Sequence, residues 1–218
     1  MNIVLIGQPA SGKGTQAEKL VEKYGLANVE MGGILRKISK EDSDLGRQIK
    51  SIIEEGKLVP DQMTIEILIK HLENLNRLDG IIFDGFPRVI TQAEAFEKYL
   101  AEKGKKIDLA IYLDLPREEV FKRLVNRRLC EKCGKTFNLL TKPSRAGDLC
   151  DSCGGKLVVR TDETPEKVNV RLDLFEQQTR PVIEYFAQKG ILEKVDGNRS
   201  IEDIFAEIAL RISRRNLV

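Results

Sequence analysis

Seven residues near the amino terminus have the types and spacing that bind nucleotide phosphates. The run Gly7-Gln8-Pro9-Ala10-Ser11-Gly12-Lys13 matches the first seven positions of the phosphate loop Gly-x-x-x-x-Gly-Lys. In such a loop, backbone N–H groups at a helix N-terminus cradle the phosphates, and the lysine adds a positive charge. The hydroxyl that commonly follows comes one place late, because Gly14 precedes Thr15. The pattern predicts a nucleoside triphosphate and leaves the reaction open.

A carboxylate follows a second apolar run. Ile81-Ile82-Phe83 predicts a buried strand that ends in Asp84. An acid at the end of such a strand commonly faces Mg²⁺ through water in phosphate-loop proteins. A turn or capping role is the alternative that Asp84 alone leaves open. With the phosphate loop, the sequence predicts Mg²⁺ as the cation that accompanies the triphosphate.

Four cysteines have the spacing of a metal site. Cys130, Cys133, Cys150 and Cys153 form the pattern Cys-x2-Cys-x16-Cys-x2-Cys, and glycines follow both pairs. This spacing fits a closed, structural Zn²⁺ site with four thiolate ligands. Four unligated thiols are one alternative, and a zinc ribbon that binds nucleic acid is another. The segment lacks a clean basic and aromatic face, which counts against the ribbon.

Arginines recur at the ends or inner faces of the predicted elements. Phosphoryl transfer requires alignment of two phosphates and shielding of the transferring group, and guanidinium groups serve both purposes. Each arginine alone is also compatible with a surface ion pair. Together with Lys13 they predict a phosphate-transfer centre. The six are Arg36, Arg88, Arg123, Arg127, Arg160 and Arg171.

Composition excludes several other classes of protein. The 218 residues carry 36 Lys and Arg against 34 Asp and Glu, so the formal charge is only +2. This balance argues against a nucleic-acid coat and a disordered polyelectrolyte. No apolar run approaches a membrane span, and no signal peptide is visible, so we expect a cytoplasmic protein.

Strand and helix signals alternate along most of the chain. Apolar runs predict strands at 3–6, 81–83, 109–113 and 191–195, with amphipathic segments between them. Thr91 and Glu94 form a capping-box pattern, and Thr164-Pro165 predicts the start of one long helix that stops near Gly190. Residues 31–60 and 128–163 break the rhythm as insertions. The prediction is an α/β fold, with a doubly wound parallel sheet and helices on both faces.

With these motifs in view, the chain resembles the adenylate kinase family over nearly its whole length. The most specific segment is Asp84-Gly85-Phe86-Pro87-Arg88, supported by residues 7–17 and by Gly56-Lys57-Leu58-Val59-Pro60-Asp61. The cysteine segment is similar to the zinc-bearing lid of the long bacterial-type members. The resemblance implies a core of residues 1–30, 61–126 and 165–218, a helical monophosphate-binding insertion at 31–60 and a lid at 127–164.

The resemblance also implies the reaction MgATP + AMP ⇌ 2 ADP in a monomer that binds neither nucleic acid nor membrane. The residues that act in catalysis would be Lys13, Asp84, Arg88, Arg123, Arg160 and Arg171. ATP would be bound by Ala10, Ser11, Gly12, Lys13, Gly14, Thr15, Arg123, Arg127, Thr136, Phe137 and Arg199. AMP would be bound by Met31, Arg36, Lys57, Leu58, Val59, Gly85, Phe86, Pro87, Arg88, Gln92, Arg160 and Arg171.

One segment departs from the family pattern. The family usually has Thr-Gly-Asp where this chain has Met31-Gly32-Gly33. Met31 lacks the hydroxyl that would contact adenine, and Gly33 removes a carboxylate near the metal waters, whereas Gln92 favours adenine. A kinase of CMP or UMP is therefore the first alternative. The second is a phosphate-loop ATPase that binds nucleic acid through the zinc module.

Overall fold

The computed structural model describes residues 1–159 and 164–217, so the predicted site residue Arg160 lies outside the described residues. None of the described helices is both long and apolar enough to cross a membrane. The strands are β1 (Asn2–Gly7), β2 (Ala27–Glu30), β3 (Ile81–Asp84), β4 (Leu109–Asp114), β5 (Arg127–Cys130), β6 (Thr136–Asn138), β7 (Leu157–Val158) and β8 (Leu192–Asp196). The helices are α1 (Lys13–Tyr24), α2 (Met31–Ile38), α3 (Asp44–Glu54), α4 (Asp61–Leu75), α5 (Ile90–Glu102), α6 (Arg117–Val125), α7 (Pro165–Leu174), α8 (Arg180–Gln188) and α9 (Ile201–Arg214).

A parallel sheet of five strands forms the centre, in the order β2-β3-β1-β4-β8. All four strands predicted from the apolar runs are present in it. The edge strand β2 was not predicted, because only Val29 of its four residues is fully buried and the segment has no continuous apolar run. The loops at the carboxyl ends of β1 and β3 therefore meet beside the end of β2.

Helices cover both faces of this sheet, which confirms the doubly wound prediction. Successive side chains of a strand point to opposite faces. In β1, Ile3 and Leu5 pack with α1 and α9, whereas Val4 and Ile6 pack with the helices of the other face, including α4, α5 and α8. The central strands are buried on both sides as a result.

The two predicted insertions differ in structure. Residues 31–60 hold α2 and α3, as the helical pattern indicated. The cysteine segment contains a separate antiparallel sheet in the order β6-β5-β7, which the sequence analysis did not predict. Its strands are two to four residues long, too short to give a periodic signal. The domain boundaries themselves stay a prediction.

One predicted helix feature was wrong, and a second was incomplete. Thr91 does not cap α5, because the helix begins at Ile90 after Val89, and the Thr91 hydroxyl donates a hydrogen bond to Asp61 instead. The helical run after Pro165 extends to Gln188, close to the predicted stop, but it contains an unpredicted π-helical turn at Phe175–Thr179 between α7 and α8. Pro181 in the first turn of α8 has no N–H to donate, which explains why the regular hydrogen-bond ladder is interrupted before it.

We expect Phe96→Ala to lower the free energy of unfolding by about 3–5 kcal/mol. Phe96 is fully buried and packs edge-to-face on Phe83 and Phe86, so truncation leaves a cavity under the strand that ends in Asp84. Urea unfolding followed by circular dichroism measures the change. Phe121→Ala is the control, since Phe121 is 37% exposed, and it should cost only about 1–2 kcal/mol. Equal losses in the two variants would contradict the prediction.

Candidate functional site

One cavity of about 790 Å³ lies beyond the carboxyl ends of β1 and β3, between the core, the insertion and the cysteine segment. Ligands of open parallel sheets bind at this edge. The predicted site residues that line it are Ala10, Ser11, Gly12, Lys13, Gly14, Thr15, Met31, Arg36, Lys57, Leu58, Val59, Asp84, Gly85, Pro87, Arg88, Gln92, Arg123, Arg127, Thr136, Phe137, Arg171 and Arg199. Phe86 is the exception, because its ring is buried in the core against Phe96 and does not line the cavity.

The phosphate loop has the geometry that its sequence predicts. A Cβ on Gly7 would lie 2.5 Å from Ser11 Oγ and 2.9 Å from the Leu113 carbonyl oxygen, so only glycine fits there. Gly12 has a φ of 99°, which favours glycine, and α1 begins at the next residue. The first turn of α1 has no acidic residue and no side-chain cap. Its positive end and backbone N–H groups are therefore available to an anion.

Lys13 is a partly buried cation at the phosphate loop. Its ammonium group donates hydrogen bonds to the carbonyl oxygens of Gly7 at 2.9 Å and Gln8 at 3.0 Å. Burial lowers the pKa of Lys13 to about 8, an effect that Asp84 opposes and that Arg88 and other nearby arginines reinforce. The site thus holds several positive charges close together, which is an environment that favours a polyanion.

Asp84 lies directly beside this lysine. Its side chain is almost completely buried, and burial raises the pKa of Asp84 to about 6, with Lys13 opposing the rise and Glu30 adding to it. A Cβ on Gly14 would lie 3.6 Å from Asp84 Oδ2. The carboxylate therefore faces the first turn of α1, where the phosphates of a triphosphate and their Mg²⁺ would lie.

The arginines reach the cavity from separate elements. Arg88 Nε donates to the Gly85 carbonyl oxygen at 2.9 Å, and Arg123 Nη2 donates to the Gly197 carbonyl oxygen at 3.0 Å. Arg36, on α2, forms an ion pair with Glu30 at 2.6 Å. Arg127 begins β5, and Arg171 lies on α7. The five predicted arginines within the described residues all line this one cavity, and their role in phosphate transfer stays a prediction.

A polar network lies at the far end of the cavity, next to the insertion. Gln92 Oε1 accepts a hydrogen bond from the Arg88 backbone N–H at 2.9 Å, and Gln92 Nε2 donates to Asp61 Oδ1 at 2.9 Å. Met31 is buried nearby and lines the same cavity. This end therefore offers one oriented amide and an apolar thioether to a planar base.

Three residues of the site were missed by the sequence analysis. Glu30 ends the unpredicted strand β2, and Asp61 fixes the amide of Gln92. Asn138 of β6 donates to the Arg123 carbonyl oxygen at 2.7 Å and so joins the small sheet to the core. The resemblance segment that ends in Asp61 was a signal for that residue. Nothing in the local sequence pattern distinguishes Glu30 or Asn138.

The four cysteines meet at one point. All four sulfur atoms lie within 4.8 Å of one another, with Cys130–Cys153 at 3.4 Å and Cys133–Cys150 at 3.7 Å. Tetrahedral zinc with Zn–S bonds of about 2.3 Å places its sulfurs about 3.8 Å apart. The backbone N–H of Cys133 lowers the pKa of the Cys130 thiol, which favours the thiolate that a metal needs. The donor set and its spacing fit zinc.

Glycines shape the two turns that carry the cysteines. Gly134 and Gly154 both have positive φ, at 76° and 67°, and their N–H groups donate to the carbonyl oxygens of Cys130 and Cys150 at 2.9 Å. A Cβ on Gly155 would lie 2.8 Å from Cys130 Sγ. These glycines therefore allow the two tight turns that bring the sulfur atoms together.

Comparison with known proteins supports the same family. A family model described as Adenylate kinase matches residues 5–191. The adenylate kinase of Thermodesulfovibrio yellowstonii is 40% identical over 215 residues, which are 99% of this chain and 100% of that protein. Those of Carboxydothermus hydrogenoformans and Lachnospira eligens are 41% and 39% identical over 95% of this chain, and the alignments cover 97% and 98% of the relatives. The chain belongs to the adenylate kinase family.

We expect the protein, purified without chelator, to contain about one zinc ion per chain. Cys133→Ser should lose the metal and lower the midpoint of thermal unfolding, because three thiolates leave the tetrahedral site incomplete. Elemental analysis and calorimetry measure both effects. Ser152→Ala, an exposed change beside Cys150 that removes no ligand, should keep the zinc. A metal content near zero in the unaltered protein would contradict the prediction.

Proposed function

We propose that this chain catalyses the reversible transfer of the terminal phosphoryl group of MgATP to AMP, which gives two ADP. The observation that carries the proposal is the single cavity that joins a phosphate loop at one end to an oriented amide at the other. Lys13, Asp84 and five arginines line its middle, where the phosphates of two nucleotides would meet. The family and its relatives named adenylate kinase support the same reaction.

ATP would occupy the phosphate-loop side. The N-terminus of α1 and Lys13 would bind its phosphates, and Asp84 would orient the water shell of Mg²⁺, which supplies charge neutralisation to the phosphates. Thr136 and Phe137 of the small sheet, with Arg199, would lie near its base. The remaining contacts proposed for ATP are Ala10, Ser11, Gly12, Gly14, Thr15, Arg123 and Arg127.

AMP would occupy the side formed by the insertion. Arg36 and Arg88 would bind its phosphate, and Gln92 would hydrogen-bond the adenine edge with its paired donor and acceptor. The other contacts proposed for AMP within the cavity are Met31, Lys57, Leu58, Val59, Gly85, Pro87 and Arg171. Phe86 would support this wall from the core, and Arg160 is proposed from the sequence alone.

The chemistry needs little from acids and bases. The attacking atom is a phosphate oxygen of AMP that is already an anion, so no proton has to be removed from it. The side chains instead hold the two phosphates in line and stabilise the charge on the transferring group. Lys13, Arg88, Arg123 and Arg171 are proposed for this role, with Asp84 on the metal side and Arg160 joining from the cysteine segment.

The remaining parts would separate the reaction from water. We assign residues 1–30, 61–126 and 165–218 to the core, 31–60 to the AMP-binding insertion and 127–164 to a zinc-stapled lid. Closure of both over bound substrates would keep water from accepting the phosphoryl group. A monomeric state and a cytoplasmic location are proposed from the sequence alone.

A coupled assay of ADP formation with ATP and each of AMP, GMP, CMP and UMP tests the proposal. We expect AMP to be preferred, because the bonds to Arg88 and Asp61 orient the Gln92 amide and use one N–H and one lone pair, which leaves the second of each for adenine. Gln92→Leu should then raise KM for AMP about tenfold or more, since the adenine edge loses its partner. A preference for CMP or UMP would favour the alternative raised by Met31. Tight RNA or DNA binding without ADP formation would favour an ATPase with a zinc ribbon.

We expect kcat/KM for ATP to be bell-shaped in pH, with limbs near pH 6 and pH 8. Asp84, with its raised pKa of about 6, loses its charge as the pH falls below that value. Lys13, with its lowered pKa of about 8, loses its charge as the pH rises above it. The profile of kcat/KM reports groups of the free enzyme. Asp84→Asn should remove the part of the limb near pH 6 that comes from titration of the protein, whereas the part that comes from titration of the nucleotide phosphates should remain. An unchanged limb near pH 6 in this variant would contradict the assignment to Asp84.

A further inference from the structure

Helix α2 opens with two glycines that its backbone does not require. Gly32 and Gly33 have no positive φ, and glycine is among the poorest residues for a helix interior. A Cβ on Gly32 would lie 2.9 Å from Arg36 Nη1, and a Cβ on Gly33 would lie 2.9 Å from Glu30 Oε2. The missing side chains leave room for the ion pair between Glu30 and Arg36. The two glycines at the start of α2 therefore permit the observed conformation of the Glu30–Arg36 ion pair.

Glu30 also lies at the edge of the sheet where Asp84 ends its strand. The two residues are paired in the register of β2 and β3, and neighbouring strands are about 4.8 Å apart. Both residues line the cavity, as does Arg36. Two carboxylates and one guanidinium are thus placed together at the boundary between the insertion and the phosphate loop.

In the unliganded site, the positive charge of Arg36 is compensated by the carboxylate of Glu30. Arg36 neutralises Glu30 through a 2.6 Å contact between Nη2 and Oε1. A monophosphate that takes the same guanidinium donors must displace the carboxylate, because two anions would otherwise compete for them. The displaced carboxylate then adds negative charge beside Asp84, where a divalent cation is favoured.

We propose that Glu30 is a positioning residue that holds Arg36 until AMP displaces it and then strengthens the hold of the site on the Mg²⁺ of MgATP. The inference rests on the proposed function, because it requires Arg36 to bind the AMP phosphate. Its consequence is a coupling: occupation of the AMP subsite lowers the Mg²⁺ concentration that the reaction needs. By linkage, Mg²⁺ with ATP favours AMP in equilibrium binding.

Glu30→Gln separates the two roles of the carboxylate. Calorimetric titration with AMP in the absence of Mg²⁺ should show binding about two- to fivefold tighter, because a half-exposed ion pair no longer competes for Arg36. In steady-state assays, the Mg²⁺ concentration for half-maximal rate should rise about threefold or more and kcat should fall, while KM for AMP falls. A merely structural role would not move AMP binding and Mg²⁺ dependence in opposite senses.

Further variants serve as controls. Asp42→Asn removes an exposed ion pair with Arg47 in the same insertion and should change neither quantity. Glu30→Ala/Gly33→Asp clears the volume that the Glu30 carboxylate occupies, returns a carboxylate beside residue 33, and should restore the Mg²⁺ dependence that Glu30→Ala alone loses.

Weaker or unchanged AMP binding in Glu30→Gln, or an unchanged Mg²⁺ requirement, would overturn the inference. The proposed function would survive that result if the unaltered protein and Asp42→Asn still form ADP from ATP and AMP. Absence of ADP formation in the unaltered protein would contradict the proposed function instead.

Discussion

Repulsion among the positive charges at the end of β1 is the constraint on which the rest of the site depends. Lys13 is partly buried, and Arg88, Arg127 and Arg171 all lower its pKa. A fold that assembles these groups for phosphate must also keep them together when no phosphate is bound. Backbone carbonyl oxygens do much of this: those of Gly7 and Gln8 accept from Lys13, and other carbonyls accept from Arg88 and Arg123. Such neutral acceptors can be exchanged for phosphate oxygens, which bear a full charge and bind the same donors more strongly.

The same constraint explains why the cations come from separate elements. Placing all of them on the rigid core would keep the repulsion at its maximum in the empty protein. Here Arg36 belongs to the insertion, and Arg127 begins the small sheet. The links that hold the small sheet to the core include an exposed ion pair between Lys142 and Glu18 at 2.8 Å, and such pairs contribute about 1 kcal/mol or less. This link between the small sheet and the core is therefore weak.

The sequence predicted the parts of the molecule that depend on local spacing. The phosphate loop, Asp84 at its strand end and the four cysteines are each defined by neighbours along the chain, and all were placed correctly. The edge strand β2 and the three short strands of the cysteine segment were missed, because their stability comes from pairing and not from an apolar run. Thr91 was assigned to a cap because its alternative partner, Asp61, lies 30 positions away in the chain. Long-range partners of polar side chains leave no periodic trace in the sequence.

Glu30 shows the same limit within the site itself. Compared position by position with the family pattern, the segment that begins at Met31 lacks a carboxylate at residue 33. From the sequence alone, the site therefore lacks one negative charge that would face the water molecules of Mg²⁺. In three dimensions the Glu30 carboxylate lies where the side chain of residue 33 would begin, with Oε2 2.9 Å from that Cβ position. One turn of helix brings residues three positions apart close together, so a functional group can enter the site from a residue outside the motif.

The net charge of +2 also gives no sign of the cationic cavity. Lys13 and the arginines of the site are concentrated there, and acidic residues elsewhere on the surface balance their charge.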